Sequence, residues 1–291
     1  MNLRTWLQNL LPKIIFSPSL LIVLVFIYSF MVWTAILSFT GSTVLPNYQF
    51  LGFANYVRLW SLPSWYIALK NLFLYGVCYI GGSLILGTLL AILIDQKIRL
   101  EGLFRPIFLY PMALSFMVSG TAWKWFFNPG IGLEKAMQDL GFANFHFDWI
   151  INADRAIYII AIVAVWQSSG FVMAIFLAGI RGISEEVIKA AKIDGANIFQ
   201  IYWRVILPQM APALVSAVII LSHLAIKNYD LVIALTNAGP GNATEVPATF
   251  MYSYTFARTQ MGVGSASAII MLMTIASILI PYLYSQVREK H

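Results

Sequence analysis

The feature that most constrains this chain is a succession of six apolar stretches, each long enough to cross a bilayer. A transmembrane helix needs about 20 consecutive, mostly apolar residues because the hydrocarbon core is about 30 Å thick. The stretches are Phe16–Phe39, Leu72–Ile94, Phe104–Phe127, Ala156–Ile180, Ala211–Leu235 and Gly264–Tyr284. Only 10% of the 291 residues are charged, whereas soluble proteins carry about 25%. The sequence therefore predicts an all-α, polytopic integral membrane protein with six transmembrane helices.

The basic residues predict the orientation of the chain. Cytoplasmic loops of membrane proteins carry an excess of Lys and Arg. With the N-terminus inside, eleven of the 18 Lys and Arg residues fall on the cytoplasmic side. We therefore expect both termini to be cytoplasmic, and the net charge of +6 does not imply nucleic-acid binding. The predicted parts are an N-terminal tail (1–13), one six-span membrane domain (14–286) with a large inner loop (181–209), and a C-terminal tail (287–291).

The first outer segment, between Gly41 and Lys70, is rich in aromatic residues. They are Tyr48, Phe50, Phe53, Tyr56, Trp60, Trp65 and Tyr66. Aromatic rings favour the membrane–water boundary, so an interfacial belt explains them without a ligand. A rim that contacts a soluble partner or a sugar is the alternative interpretation.

The inner loop carries start and stop signals for two short helices. Ser184 can cap a helix that begins at Glu185, because its hydroxyl can accept a hydrogen bond from a free backbone N–H. Gly195 suits the left-handed conformation that ends a helix. Asn197 and Gln200 have the spacing of a capping box for the next helix. The loop is therefore predicted to be a helix-turn-helix.

Small residues line two faces of the first predicted helix. Ala190 and Asp194 share one face, and Ala191 and Gly195 share the next, since residues four apart are neighbours on a helix. These faces leave a shallow surface that another backbone can approach closely. Pro208 suits the first turn of the fifth span. From the residues alone, the loop is either a simple connector or a docking element.

The segment from Ser184 to Pro212 resembles the cytoplasmic loop of ABC-importer permeases, whose motif reads E-A-A-x-x-x-G followed by I-x-L-P. The matching residues are Ala190, Ala191, Asp194, Gly195, Ala196, Leu207 and Pro208. Lys189 stands where the family usually has Glu, and Ser184 stands where many members have Pro. The resemblance implies a type I ABC importer permease fold. It also implies that this loop, with Glu186 and Lys189, couples the chain to an ATPase.

Other segments resemble sugar-importing permeases. They include Gly52-Phe53-Ala54-Asn55-Tyr56, Trp123-Lys124-Trp125 and Leu235-Thr236-Asn237-Ala238-Gly239-Pro240, with Ala238 in place of one family Gly. The stretches at residues 166–174 and 222–227 are similar to glucose/mannose-type permeases. The resemblance implies a permease subunit that forms half of the path for a sugar, such as glucose or mannose.

The same resemblance implies several partners. They are a second permease subunit, an ATP-binding cassette ATPase dimer that binds ATP and Mg, an extracytoplasmic sugar-binding protein and the surrounding lipid. The location implied is the bacterial cytoplasmic (inner) membrane. No cofactor is expected on this chain itself.

Polar residues inside the spans are candidate substrate contacts, because charges in a bilayer are costly and usually face a cavity. The candidates are Trp166, Gln167, Ser169, Lys227, Asn228, Tyr229 and Asp230. Lys227 and Asp230 can pair on one helix face, so a neutralised structural pair and a polar lining of the sugar path are both open. Gln167 can bond sugar hydroxyls while Trp166 stacks on a sugar face, but helix packing explains such residues equally well.

Several motifs of other protein classes are missing from the sequence. There is no G-x-x-x-x-G-K-[ST] phosphate loop and no H-E-x-x-H, so the chain is not expected to be an enzyme or to hydrolyse ATP. The lone Cys78 and three scattered histidines predict no metal site. Gly264-Ser265-Ala266-Ser267 faintly resembles an intramembrane serine-protease site, but packing explains it. A self-contained secondary transporter remains the alternative, although the internal repeats and broken spans of that class are not evident.

Overall fold

The computed structural model describes residues 16–96 and 99–288, with side chains up to Tyr284. The predicted N-terminal tail and the last three residues of the C-terminal tail lie outside the described residues. Within these ranges the secondary structure is helical, apart from one isolated antiparallel bridge between Thr40 and Phe50. The all-α prediction is therefore confirmed.

The helices account for all six predicted spans. In chain order they are α1 (Phe16–Ser38), α2 (Ala54–Ser61), α3 (Pro63–Asp95), α4 (Glu101–Ala113), α5 (Phe116–Phe126), α6 (Leu133–Asp139), α7 (Ala156–Arg181), α8 (Glu185–Ile193), α9 (Ile198–Gln209), α10 (Ala211–Ile226), α11 (Asp230–Thr236), α12 (Pro247–Tyr252) and α13 (Met261–Arg288). Among the described residues, α1, α3, α7 and α13 are each long and apolar enough to cross a membrane alone. The pairs α4–α5 and α9–α10 pass the same test together, each as a bent span.

The third predicted span, Phe104–Phe127, is present as two helices joined by a sharp bend. α4 and α5 meet at 96°. Pro111 lies in the last turn of α4, and Leu114 and Ser115 are extended, with ψ of 143° and 138°. The Ser115 side chain then accepts a hydrogen bond from the Met117 N–H and starts α5. Proline and a capping serine, both visible in the sequence, produce this break.

The fifth span is also interrupted, and the prediction of a continuous helix over Ala211–Leu235 is wrong. α10 ends at Ile226, and the chain becomes helical again only at Asp230. At its other end α10 meets α9 at 67°. Pro212 occupies the first turn of α10, whereas Pro208 lies in the last turn of α9. The role predicted for Pro208 is therefore filled by Pro212.

The described residues divide into two compact units. The first contains the chain up to Leu62 together with Met251–Leu272. Within it, the Asn55 side chain donates to the carbonyl oxygens of Ser38 (2.9 Å) and Thr40 (2.8 Å) and so fixes the end of α1. The Gly262 N–H donates to the Ser42 carbonyl at 3.1 Å. These bonds hold the start of α13 against the segment that follows α1.

The second unit contains Pro63–Phe250 together with the residues from Met273 onward, and α7 is its central helix. Helices approach α7 closely where α7 or its neighbour has a glycine at the contact. A Cβ added at Gly87 of α3 would lie 2.6 Å from the Val172 Cβ, and one at Gly170 would lie 1.8 Å from the Phe108 carbonyl oxygen. Because lipid supplies no hydrophobic drive between spans, such close backbone approach is how membrane helices gain packing energy.

The aromatic residues of the first outer segment differ in their exposure to the surroundings. Tyr48, Phe50 and Phe53 are exposed, as either a membrane belt or a binding rim requires. Trp65 is fully buried, and its ring centroid lies 5.0 Å from that of Phe250 in the same unit. Including Trp65 in the belt or rim is therefore wrong, since its ring is part of a packed core.

Candidate functional site

The first helix of the inner loop begins as predicted. The Ser184 Oγ accepts a hydrogen bond from the Glu186 N–H at 3.2 Å, and α8 starts at Glu185. Glu185 and Glu186 lie in its first turn, where they complement the helix dipole. The Lys189 Nζ lies 3.1 Å from a Glu185 oxygen. Both side chains are exposed, so this ion pair adds little stability.

The end of α8 is closed by a Schellman motif. Gly195 has a φ of +82°, a conformation that glycine adopts without steric cost. The Gly195 N–H donates to the Lys192 carbonyl at 3.1 Å, and the Ala196 N–H donates to the Ala191 carbonyl at 3.0 Å. These two bonds satisfy carbonyls that a helix end otherwise leaves free, so the predicted helix stop at Gly195 is confirmed.

The second helix of the inner loop begins with the predicted capping box. The Gln200 N–H donates to Asn197 Oδ1, and the Asn197 N–H donates to Gln200 Oε1, both at 2.9 Å. Downstream, Tyr202–Ile206 forms a π-helical turn inside α9. Such turns are rare and often occur at functional sites.

The candidate coupling residues lie mostly at the surface. Glu186, Lys189, Ala190, Asp194, Gly195 and Pro208 are exposed, whereas Ala191, Ala196 and Leu207 are half-buried. The loop also exposes large apolar side chains that the sequence analysis did not single out: Ile193 (87% exposed), Ile198, Phe199 and Trp203. Exposed apolar groups of this size on a connecting loop are typical of a binding surface. Large apolar residues within a polar loop were the signal that could have identified them.

A cleft of about 690 Å³ lies at the base of the inner loop. Its apolar wall consists of Ile180, Ile183, Ile188, Ile198, Ile201 and Ile206. A polar network forms the other wall. The Tyr202 hydroxyl donates to Asp95 Oδ2 at 2.6 Å and accepts from Gln96 at 2.8 Å, and Arg181 pairs with Glu101 at 2.8 Å. Arg181 and Tyr202 lie within the predicted inner loop, but the sequence analysis singled out none of these five polar residues as a site residue.

Gln167 and Trp166, adjacent in α7, point to different neighbours. Gln167 is 2% exposed, and its Nε2 donates to the Leu114 carbonyl at 2.8 Å. Its Oε1 has no hydrogen-bond partner among the described residues. The Trp166 ring is half-buried and meets the Trp123 ring edge-on at 5.4 Å. The Ser169 hydroxyl donates back to the Trp166 carbonyl of its own helix at 3.3 Å.

Asn228, at the break in the fifth span, joins a buried polar cluster that we call the tyrosine cluster (Tyr75, Tyr79, Ser168 and Asn228). The Tyr75 and Tyr79 rings stack at 5.3 Å, and the Tyr79 and Ser168 hydroxyls are 2.8 Å apart. The Asn228 side chain lies beside the Tyr75 hydroxyl. Asn228 is 8% exposed, and its Nδ2 has no partner among the described residues. The two tyrosines were missed, although their i,i+4 spacing places them on one face of α3.

The other three polar candidates surround the same break. Lys227 and Asp230 are exposed and Tyr229 is half-buried. Lys227 ends α10 and Asp230 begins α11, and no ion pair joins them among the ion pairs of the described residues. The prediction that they pair on one helix face is wrong, because no single helix carries both.

Comparison with known proteins gives consistent matches over most of the chain. The family model described as "Binding-protein-dependent transport system inner membrane component" matches residues 83–289. A probable ABC transporter permease protein of Pyrococcus horikoshii is 39% identical over 278 residues, which cover 94% of this chain and 95% of that protein. The xylose/arabinose import permease protein XacH of Haloferax volcanii is 34% identical over 246 residues, covering 84% of this chain and 77% of XacH.

A solved structure has the same fold. It is a crystal structure of a bacterial ABC transporter involved in the import of the acidic polysaccharide alginate, and it superposes with a TM-score of 0.83. The match covers 98% of this chain and 99% of that chain, at 19% sequence identity. At this identity the likeness is evidence for the fold alone.

Proposed function

The chain belongs to the family of binding-protein-dependent transport system inner membrane components, and on that premise we propose that it is a permease subunit of an ABC sugar importer. It forms half of the translocation path, and a second permease subunit forms the other half. A separate ATPase dimer binds ATP and Mg and drives transport, while an extracytoplasmic binding protein delivers the sugar. The chain lies in the cytoplasmic membrane with both termini inside.

The observation that carries this proposal is the surface of the inner loop. Its first helix is capped at both ends by residues of the loop itself, Ser184 and Gly195. Both ends of this helix are therefore closed without hydrogen bonds from the spans. At its tip Ile193 is 87% exposed, which is costly in water unless a partner covers it. A stable, exposed helix with an apolar tip suits insertion into a groove on a soluble ATPase.

The sugar path is proposed to run along the break in the fifth span. Non-helical backbone at membrane depth is tolerated where it is buried in protein or lines a cavity. Lys227, Tyr229 and Asp230 supply polar groups there, and the unpartnered Nδ2 of Asn228 supplies a buried donor. Trp166, Gln167 and Ser169 are proposed to support this path from α7.

The substrate is proposed to be a small sugar. The relative that is named for xylose and arabinose import supports a sugar, and the resemblance of residues 166–174 to glucose/mannose-type permeases favours a hexose such as glucose or mannose. Broken spans also occur in secondary transporters, so the breaks in the third and fifth spans do not separate the two classes. Family membership is what favours the ABC importer.

The proposal is tested by purifying the tagged chain from native membranes in mild detergent and identifying the proteins that accompany it. We expect a second permease and an ATPase. After reconstitution with the binding protein, ATP should drive uptake of labelled glucose, mannose, xylose or arabinose into vesicles. Uptake by the chain alone, without ATP, would instead establish a secondary transporter.

A matched pair of variants tests the docking surface. Ile193→Asp places a charge at the tip of α8 and is expected to remove the ATPase from the purified complex. Ile151→Asp makes the same change at an exposed isoleucine (64% exposed) of the predicted outer loop and should leave the ATPase bound. Equal retention of the ATPase by both variants would contradict the assignment of the inner loop.

A further inference from the structure

Each end of the inner loop carries a side chain that meets the same carboxylate, that of Asp95, the last residue of α3: Arg181 by an ion pair and Tyr202 by a hydrogen bond. Arg181, where the loop begins, places its Nε 3.9 Å from Asp95 Oδ1. Tyr202, near the other end, donates its hydroxyl to Asp95 Oδ2 at 2.6 Å. Asp95 and Tyr202 are 107 residues apart in sequence. A single side chain of the second span therefore joins the two ends of the loop.

The contacts extend from Asp95 to the start of the third span. The Arg181 Nη2 lies 2.8 Å from Glu101 Oε1, and the Arg105 Nη2 lies 2.5 Å from the same oxygen. Glu101 begins α4, so Arg181 bridges the carboxylates that flank the inner turn between α3 and α4. The side chains of Asp95 and Glu101 are only 23% and 25% exposed. Charge-assisted hydrogen bonds in such partly shielded positions are stronger than those in open water.

We propose that Asp95, Arg181 and Tyr202 form a clasp that passes the movement of the inner loop to the second and third spans. This inference rests on the proposed function, because it assumes that an ATPase moves the loop. The three are positioning residues, since they lie at the base of the inner loop and connect its ends to α3. The clasp adds polar contacts to the apolar packing at the base of the loop, where Ile201 and Ile206 are buried.

The local backbone joins the two helices of the loop. The turn from Asp194 to Asn197 is non-helical, but the Schellman bonds of Gly195 and Ala196 and the capping box of Asn197 and Gln200 close it. Movement of α8 therefore carries α9 with it. The Asp95–Tyr202 bond then connects α9, at the start of its π-helical turn, to the end of α3.

The clasp is tested in the complete transporter reconstituted in vesicles with its ATPase and binding protein. Tyr202→Phe removes one hydroxyl, and Asp95→Asn removes the charge at nearly constant volume. Three quantities are measured: the yield of intact complex, the rate of ATP hydrolysis and the sugar taken up per ATP hydrolysed. We expect unchanged yield, continued hydrolysis and uptake per ATP lower by about tenfold, the scale set by one lost charge-assisted hydrogen bond.

Further variants separate coupling from simple stability. The double variant Asp95→Asn/Tyr202→Phe should be no worse than the stronger single variant, because both changes act on the same bond. Asp95→Glu keeps a carboxylate and should restore most of the coupling. Asp139→Asn removes a different ion-paired aspartate, that of the Lys135–Asp139 pair on α6, and should leave uptake per ATP unchanged.

Two results would overturn the clasp. One is wild-type uptake per ATP in both single variants. The other is loss of the intact complex in both, which would make the network a structural element only. Failure of the proposed function is a separate result, because in that case the unmodified transporter itself shows no ATP-driven uptake.

Discussion

The side-chain amide of Gln167 donates to the carbonyl oxygen of Leu114 over 2.8 Å, where the third span bends by 96°. A helix break leaves carbonyls without partners, and the bilayer core has no water to bond them. Gln167 lies on α7, 53 residues away in sequence, and supplies the missing donor. The broken span is therefore stabilised by a neighbouring helix as well as by its own Ser115 cap.

Gln167→Leu is expected to lower the unfolding temperature of the purified protein. The change leaves the buried Leu114 carbonyl without a donor, at a cost of about 1–3 kcal/mol. Ser169→Ala is the matched control, because the Ser169 hydroxyl only bonds back to its own helix, and it should be nearly neutral. An unchanged unfolding temperature combined with a weaker apparent affinity for sugar would show instead that Gln167 is a sugar ligand.

Gly195→Val is expected to abolish sugar uptake while the chain still inserts into the membrane. A Cβ at Gly195 meets no atom within 4 Å, but φ is +82°, which a β-branched residue adopts only with strain. The strain distorts the turn after α8 and displaces the docking surface. Gly195→Asn is the control, since Asn tolerates the left-handed conformation, and it should retain most uptake. Normal uptake by the Val variant would contradict the docking role of the loop.

Ala238→Gly is expected to stabilise the protein. Ala238 has a φ of +67° in the outer loop, and its carbonyl accepts a hydrogen bond from the Thr244 N–H at 2.9 Å. The left-handed conformation costs a non-glycine residue about 1–2 kcal/mol. Relief of this strain should outweigh the destabilisation that comes from the greater backbone entropy of Gly in the unfolded chain. Ala243→Gly has no strain to relieve, because φ there is −60°, and it should destabilise. Thermal unfolding in detergent measures both, and a lower unfolding temperature for Ala238→Gly would contradict the strain.

The outer loop that contains α6 should contribute less to the free energy of unfolding at acid pH than at neutral pH. The backbone N–H of Phe147 (3.0 Å), with the His146 ring beside it, lowers the pKa of the Glu134 carboxyl below its ordinary value. A carboxyl group whose pKa is lower in the folded than in the unfolded protein stabilises the fold fully above its unfolded pKa of about 4.3. This stabilisation is lost as the pH falls through the folded pKa.

The measurement is the difference in unfolding temperature between wild type and Glu134→Gln, from pH 6 to pH 3. This difference in unfolding temperature should be constant near pH 6 and should shrink below about pH 4. Asp139→Asn changes an exposed carboxylate on the same helix and serves as the control. A difference that is independent of pH over this range would show that the Glu134 charge does not hold the loop.

The fold was predictable to the level of spans because apolar length is a property of the sequence averaged over many residues. All-helical, six-span architecture of the type I ABC importer permease kind is confirmed by the likeness to the alginate transporter. Continuity within a span was not predictable in the same way. A break is tolerated only when another element satisfies its backbone, and the partner of Leu114 comes from a distant helix.

In the candidate site, too, features that depend on neighbouring residues were predictable and features that depend on distant residues were not. The caps at Ser184 and Asn197 and the helix stop at Gly195 depend on residues within a few positions, and all three predictions are confirmed. The Asp95–Tyr202 bond and the tyrosine cluster join residues that are far apart in sequence, so no local pattern indicates them. The role of the inner loop in ATPase binding stays a prediction, as do the sugar contacts.

The self-capped helix of the inner loop also has a mechanical consequence. Nine residues at a rise of about 1.5 Å each make α8 a rod of roughly 13 Å, and neither of its ends depends on a hydrogen bond from outside the loop. A push on Ile193 at one end therefore tilts the rod without unwinding it. The helix α8 therefore acts as a lever arm. The distance through which its ends move depends on its length and orientation and not on the stability of the helix.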